Sequence, residues 1–345
     1  MNPNTPMQQQ GTPTPTVIAL GGTGMIGRAL RTVCARRGVS VLSLSLDPDT
    51  QAAGYANLQI DFAKATEGAI SAALDRALPP DAAIAALCII AGPSPRQIAE
   101  VAGFAARRGI PVAQVSSCLL YRAKDGSEVD ESTPTLTDTE ASFSYLRLKM
   151  AEEAALTAAA GNWRLLRTNH ILGQGGLLGC IPGHNRDPGL LDHLRRGQPL
   201  RLVRAGQVRV SIIHAEDLAA AMLDLCFDPA SEGQVLNVVH PAPVIADDYF
   251  RQIAGLMGLS PPDIIALDPS PTDFWALTAR DIHYVSRHPS VARLGFRHDL
   301  TSALRDTFSV GEAAYTALGG HLRDRLTGRA HPGRPAGPDP DSAAR

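Results

Sequence analysis

From Thr16 onward, short apolar runs alternate with longer stretches of helical spacing. TVIAL (16–20) has the composition of a strand buried on both faces, and it passes through a glycine cluster straight into a helical pattern. That pattern starts near Met25 and ends at Gly38, a residue suited to the left-handed conformation beyond a helix C-terminus. VSVLSLSL (39–46) predicts a second strand, and AAIAALCIIAG (82–92) predicts another that runs into a turn. A helix with serine and proline at its start (Ser94, Pro95) reaches Arg108, and IPVAQVSS (110–117) predicts a further strand. A helix from about Ser142 to Ala160 precedes the strand WRLLRTNHI (163–171). Strands alternating with helices of this length predict an α/β fold, a doubly wound parallel sheet covered on both faces.

Beyond Ile171 the alternation breaks. GQGGLLGCIPGHNRDPG (173–189) is rich in glycine and proline, and a short basic helix follows at LLDHLRRG (190–197). QVRVSIIH (207–214), the helix AEDLAAAMLDLCF (215–227) and QVLNVVH (234–240) predict a return to the sheet. The expected division is a dinucleotide-binding domain at 16–170 and 205–240, and a smaller substrate-binding subdomain at 171–204 and 241–325. The segments 1–15 and 326–345, proline-rich and without apolar periodicity, read as disordered tails.

Composition narrows the class. The chain has 345 residues, 44% of them hydrophobic, and 32 basic against 34 acidic side chains, so nothing steers it to nucleic acid or to an anionic membrane. No apolar run approaches the roughly 18 residues of a membrane span, and residues 1–15 lack the pattern of a signal peptide. Cys34, Cys88, Cys118, Cys180 and Cys226 are scattered, with no close pair of the metal or redox kind, which points to reduced thiols in a cytoplasmic protein.

The glycine cluster GGTGMIG (21–27) lies between the first strand and the first helix. There, small residues let the backbone approach a pyrophosphate, and the unpaired amides of the helix start stabilise its charge. Gly21, Gly24 and Gly27, with Thr23, Met25 and Ile26 between them, are therefore candidates for binding NAD or NADP; the alternative is a tight turn whose glycines serve packing alone. Coenzyme choice normally rests on the end of the second strand, here placed at Ser43 and Leu44; Asp47 and Arg28 nearby read first as surface charges.

Tyr145 and Lys149 stand four residues apart, on one face of a helix. An ammonium beside a phenol favours the phenolate and brings its proton within reach of catalysis. Taken alone the pair fits a solvated helix face, but lysine occurs only at positions 64, 124 and 149 in this arginine-rich chain. Ser117 ends a strand, where chemistry is usually found in an open parallel sheet, although a serine there can also simply bond its own backbone.

Glycine loop, strand-end serine and tyrosine–lysine pair, in this order, resemble the extended short-chain dehydrogenase/reductase family, also called the NAD-dependent epimerase/dehydratase family. The resemblance runs from about Thr16 to Phe308 and includes Asp61 with Phe62, Ala91 with Gly92, SSCLLY (116–121), IIHAEDLAAA (212–221), VLNVVH (235–240) and VARLGF (291–296). It implies a Rossmann-type domain, adenine contacts from Asp61 and Phe62, and a cofactor contact near Ala91 and Gly92. It further implies Tyr145 as general acid/base, Lys149 as its electrostatic partner on the nicotinamide ribose, and Ser117 as the group that positions the reacting oxygen. Substrate contacts are expected at the Pro93–Ser94 step, Ser117, Cys118 and His170, no metal is expected, and the family implies a homodimer.

Departures from the family pattern bear on the substrate. Ser117 is followed by Cys118 and Leu119 where dehydratases carry an Asp-Glu pair, which disfavours elimination of water. Where nucleotide-sugar members have asparagine and arginine this chain has His170 and Val210, and the neighbouring Asn169 and Arg209 face the other way on a strand. His170 also fits a packed histidine, and His214 and Asp217 fit structural anchors. The main expectation is an NAD(P)-dependent oxidoreductase acting on a carbonyl or alcohol carbon of a small or medium-sized metabolite. The alternatives are an epimerase with tightly bound NAD and a non-catalytic dinucleotide-binding regulator.

Overall fold

The structure is a computed structural model and describes residues 14–141, 144–159, 161–176, 178–181, 184–187, 189–269 and 278–309. The expected tails fall outside the described residues, apart from residues 14 and 15. So do 142–143, at the start of the tyrosine helix, and 310–325 of the second segment.

Eight strands form the central sheet: β1 (Thr16–Leu20), β2 (Ser40–Ser45), β3 (Thr50–Ala52), β4 (Tyr55–Gln59), β5 (Ile84–Ile89), β6 (Val112–Ser117), β7 (Trp163–Thr168) and β8 (Gln234–Asn237). Their order is β8-β7-β6-β5-β1-β2-β4-β3, all parallel except the edge strand β3, which pairs antiparallel with β4. Successive side chains alternate between the two faces. Val17 and Ala19 pack under α1 (Met25–Arg36) and α6 (Ala215–Cys226). Ile18 and Leu20 pack under α2 (Ala69–Ala77), α3 (Pro95–Arg107) and α4 (Ser144–Ala159). Burial on both faces is why the central strands read as unbroken apolar runs.

Two elements carry too little apolar signal to stand out in the sequence. TQA of β3 is exposed throughout, and YANLQ of β4 buries little beyond Asn57 and part of its chain. Polar contacts hold this edge: Ser45 Oγ donates to Asn57 Oδ1 at 2.9 Å, and Asn57 Nδ2 donates to the carbonyls of Asp47 and Pro48 at 2.8 and 3.0 Å.

The expected return of 207–214 to the central sheet is corrected. Both edges of β7 are taken, by β6 and β8, so 207–214 finds no free edge there; β7 ends at Thr168 and the chain leaves the sheet at Asn169. Residues His170–Leu172 then pair in parallel with Ile212–His214, and Arg209–Val210 pairs with Val244–Ile245. Ile213 points into the main core, whereas Leu172, Val210 and Ile212 point into a second one. That second core also takes Leu190, Leu191 and Leu194 of α5 (Leu190–Arg195), Tyr249 and Phe250 of α7 (Ala246–Leu256), and Leu304 of the helix Leu300–Phe308. Among the described residues no helix is long and apolar enough to cross a membrane.

His214 and Asp217 anchor the join between the cores, as the sequence suggested. His214 Nδ1 accepts from the Glu216 amide at 3.2 Å, its Nε2 meets Asp306 Oδ2 at 3.0 Å, and its ring stacks on His298 at 3.7 Å. Asp217 accepts from the amides of Arg297 and His298. Burial, seconded by His298, holds His214 below its ordinary pKa of 6.5, and burial does the same for His283. The unfolded chain therefore takes up these protons first, and folding stability falls as pH drops below 6.5. The thermal midpoint should decline between pH 6.5 and about pH 5, before most carboxylates titrate, and the decline should be shallower in His214→Asn; a flat midpoint over that window contradicts the assignment.

Candidate active site

Between β1 and β5 the order of the sheet reverses, and a crevice opens beyond the carboxyl ends of these two neighbouring strands. The glycine loop lies there, and each glycine has its own cause. Gly21, at φ +83°, turns the chain against Ala91, where a Cβ would meet the Ala91 carbonyl at 2.6 Å. A Cβ on Gly22 would strike the Ser43 side chain, and one on Gly27 would strike the backbone of Gly22, so α1 can pack on the turn only with glycine at these places. Gly92, at φ +110°, gives its space to the Phe62 ring. Gly21, Phe62, Ala91 and Gly92 are thus brought together as the sequence predicted.

Gly24 differs. A Cβ there would touch only the Gly21 carbonyl, at an ordinary 3.5 Å. It is the N-cap of α1, with no side chain bonded to the helix start and no acid in the first turn. The amides at the start of α1, with Met25 and Ile26 in its first turn, and the positive end of the helix dipole can therefore take a phosphate. Thr23 is half-buried beside them, and its carbonyl accepts from Arg28 Nη1 at 3.0 Å. Arg28 Nη2 donates to the Gln174 carbonyl at 2.8 Å, so this guanidinium serves the loop rather than the end of β2.

Asp61, which the resemblance places at the adenine, accepts at Oδ1 from the Ala63 amide at 3.0 Å and pairs through Oδ2 with Lys64 at 3.1 Å. A groove of about 630 Å³ lies beside it, lined by Leu58, Ile60, Lys64 and Arg76 among others. The placement of the coenzyme-selecting position at Ser43 and Leu44 is corrected: Ser43 lies under Gly22, Leu44 is in the core, and β2 ends at Ser45. Exposed Leu46 and Asp47 follow, on a turn that Asn57 holds.

Ser117 ends β6, and its Oγ accepts from the Leu119 amide at 3.2 Å, capping the single turn Cys118–Leu120. The backbone role foreseen as an alternative is real, but it occupies a lone pair and leaves the hydroxyl proton for another acceptor. Helix α4 lies across this end of β6. Lys149 Nζ reaches the Val115 carbonyl at 3.4 Å, Ser116 Oγ donates to Glu153 Oε1 at 2.6 Å, and Leu146 packs with Leu120. Tyr145 is one turn before Lys149 and is 45% exposed, whereas the Lys149 side chain is 15% exposed. A covered ammonium beside a reachable phenol is not the pair of a solvated helix face.

Beneath the helix, Arg167 grips Glu153 with two hydrogen bonds, of 2.9 and 2.6 Å, and lies over the Tyr121 ring at 4.5 Å. Tyr121 in turn donates to Asn237 Oδ1 at 2.7 Å. Sequence reasoning missed Glu152, whose Oε2 lies 2.7 Å from Lys149 Nζ, and Glu153; their place one turn beyond the lysine was the available signal.

Three of the expected substrate contacts are corrected. Cys118 is fully buried, and burial keeps its thiol protonated. His170 is buried with Nε2 3.0 Å from the Tyr249 hydroxyl, which donates to the Leu178 carbonyl at 2.8 Å. Ser94 is spent on a capping box with Gln97 at the start of α3, and Pro93 before it is buried. Val210 is also buried, and Arg209 is committed to Asp281 at 2.7 and 2.9 Å.

A family model described as the NAD dependent epimerase/dehydratase family matches residues 17–238. The chain belongs to that family. Solved structures similar in fold include UDP-glucuronic acid 4-epimerase from Bacillus cereus in complex with NAD, at 11% identity and a TM-score of 0.63, covering 88% of this chain and 99% of that one. The Bordetella bronchiseptica enzyme WbmG in complex with NAD is another, at 18% identity and 0.63, covering 91% and 97%. A conserved protein of unknown function from Silicibacter pomeroyi matches at 20% and 0.61, covering 87% and 100%. No curated protein matches the sequence. At such identities the likeness is one of fold.

The glycine geometry predicts a contrast. Gly27→Ala should lower stability by about 1–3 kcal/mol through backbone overlap, and Gly24→Ala by under about 1 kcal/mol as a poorer N-cap. Thermal unfolding of both variants checks this, and equal losses would contradict it.

Proposed function

We propose that this chain binds NAD in the crevice beyond β1 and β5 and acts as an oxidoreductase on a carbonyl or alcohol carbon of a small or medium-sized metabolite. The observation that carries the reading is the half-exposed Tyr145 phenol one turn from the covered Lys149 ammonium, at the end of the strand that Ser117 closes. A dinucleotide fits the residues present: the uncapped start of α1 faces its phosphates, Gly24 leaves space for them, and Phe62, Ala91 and Gly92 flank the crevice. Bound NAD supplies the hydride acceptor or, reduced, the hydride donor.

In this reading Tyr145 takes the proton from a substrate hydroxyl or returns it to a carbonyl oxygen, and Ser117 donates a hydrogen bond to that same oxygen. Lys149 lowers the cost of the phenolate by Coulomb attraction and offers a donor to the ribose. The commitment of Arg28 to Thr23 and Gln174 supports NAD over NADP, since it leaves that guanidinium no reach towards a ribose phosphate. Burial of His170 and Val210 in place of polar groups argues against a nucleotide sugar as substrate.

A second reading, an epimerase that keeps its NAD through the cycle, draws on a different observation. Arg28 bonds the Gln174 carbonyl, and Gln174 Nε2 donates to Asp306 Oδ1 at 3.0 Å, so residues 173–176 are latched over the phosphate loop. That latch favours a slowly leaving cofactor, as do structural neighbours described with NAD in their crystals. Chromatography of the nucleotide released on denaturing freshly purified protein separates the two readings. Near one NAD per chain supports the epimerase, and little supports the exchanging oxidoreductase. Tyr145→Phe should fold, bind NAD and lose at least about 10²-fold in turnover; unchanged turnover would sink the mechanism through Tyr145 in both readings.

We also infer a cytoplasmic homodimer. Leu148, Ala151, Ala154 and Ala158 are exposed on α4, with Ala106 exposed on α3 beside it, a low-relief surface on which a second copy can lie closely. Light scattering should then return twice the 36.4 kDa subunit mass; a mass of one subunit refutes it.

A further inference from the structure

After the strand His170–Leu172 the chain runs through Gly173, Gln174, Gly175 and Gly176, and this short strap lies against the start of α1. Arg28 donates to the Thr23 carbonyl at 3.0 Å and to the Gln174 carbonyl at 2.8 Å, and a Cβ on Gly176 would meet Met25 Sδ at 3.1 Å. The strap therefore borders the uncapped amides of α1. Its other side is fastened by the helix Leu300–Phe308, which packs into the second core through Ala303 and Leu304. Gln174 Nε2 donates to Asp306 Oδ1 at 3.0 Å, and the Gly173 amide donates to Thr307 Oγ1 at 2.9 Å. We propose that Asp306 is a positioning residue that holds the strap against the phosphate turn and so sets how fast NAD leaves. This rests on the reading that NAD binds in the crevice beyond β1 and β5.

The two fastenings differ in kind. Thr307 is buried, and its hydroxyl donates to the Ala303 carbonyl while it accepts from Gly173. Gly173 is at φ +142°, and a Cβ there would meet Ala215 Cβ at 3.1 Å and His214 Nε2 at 3.5 Å. That end of the strap is a fixed pivot. Gln174, by contrast, is exposed, and the Asp306 side chain is 32% exposed. Their bond can open to water while the pivot and both cores stay packed.

Asp306 is itself held in place. His214 Nδ1 accepts from the Glu216 amide, so the ring proton is on Nε2, 3.0 Å from Asp306 Oδ2. One carboxylate thus divides its oxygens between the join of the two cores and the strap. A phosphate can reach the start of α1 at Gly24, which is exposed, before the strap is engaged. Departure waits for the Gln174–Asp306 bond to break, so the effect falls on the rate of leaving and not on the rate of arrival.

NADH is the probe, and no substrate is needed. Protein loaded with NADH is mixed with excess NAD, and the loss of bound-NADH fluorescence is followed by stopped flow. Asp306→Ala and Gln174→Ala should each speed dissociation by about tenfold, the loss of one hydrogen bond to a carboxylate, and leave association within about twofold. The double variant should be no faster than either single one, because both remove the same bond. Gln174 is exposed, so Gln174→Ala keeps the test open if Asp306→Ala folds poorly through its loss at His214, with circular dichroism checking each protein. Unchanged dissociation in the folded variants, a change confined to association, or additive acceleration in the double variant overturns the role of Asp306. A wild-type protein that binds neither NADH nor NAD overturns instead the NAD reading beneath it.

Discussion

The structure depends first on backbone meeting backbone in the turn between β1 and α1. Gly27 lies against Gly22, Gly21 against Ala91, and Gly22 against the side chain of Ser43, so one short loop fixes the distance of α1 from the sheet and of β1 from the turns after β2 and β5. Close packing of this sort has no slack, because overlap of backbone atoms cannot be relieved by choosing another rotamer. It also determines where the helix begins, and hence where its uncapped amides stand. Any phosphate affinity of the helix start would in this sense be a by-product of packing. Gly24 is the exception in this loop, since a Cβ there would meet the Gly21 carbonyl only at an ordinary 3.5 Å.

A second constraint sets the chemistry. Arg167 leaves β7 to hold Glu153 on α4, and the same carboxylate takes Ser116 of β6, so one buried ion pair ties the helix to two adjacent strands. Buried pairs of this type add little net stability, but removing one partner strands the other and typically costs about 3–5 kcal/mol. The value of the pair is therefore positional. It fixes the rotation of α4, and with it which face carries Tyr145 and Lys149 towards the end of β6. Lys149 is covered, and Tyr145 reachable, as a consequence.

Legibility in the sequence followed the physics of each element. Strands buried on both faces, such as IAALCI of β5, carry an unbroken apolar signal, and serine followed by proline at Ser94 and Pro95 marked the start of α3. The edge strand β3 and its neighbour β4 were silent because polar bonds through Asn57 hold this side of the sheet. The fate of 207–214 was unreadable for a different reason: its apolar pattern suits a strand, but which partner it finds depends on β7 already being flanked on both sides. Among site residues, those whose position follows from local geometry were legible, Gly21, Gly27 and Gly92 foremost. Cys118 and His170 were not, because motif spacing gives their order along the chain but not which core they enter.

That last distinction bears on function. Ser117, Tyr145 and Lys149 gather on β6 and α4 of the main sheet, whereas His170 and Val210, where the sequence departs from the nucleotide-sugar pattern, occupy the second core or its border. The chain crosses between these cores at Asn169, where β7 can go no further. Chemistry and recognition are thus supported by different packing, and one can change while the other is kept. His170, bonded to the Tyr249 hydroxyl, and the buried Val210 are held by the packing of the second core. In the proposed reading this disfavours a charged, extended substrate without touching proton transfer at Tyr145, and it suits a compact, less charged carbonyl compound.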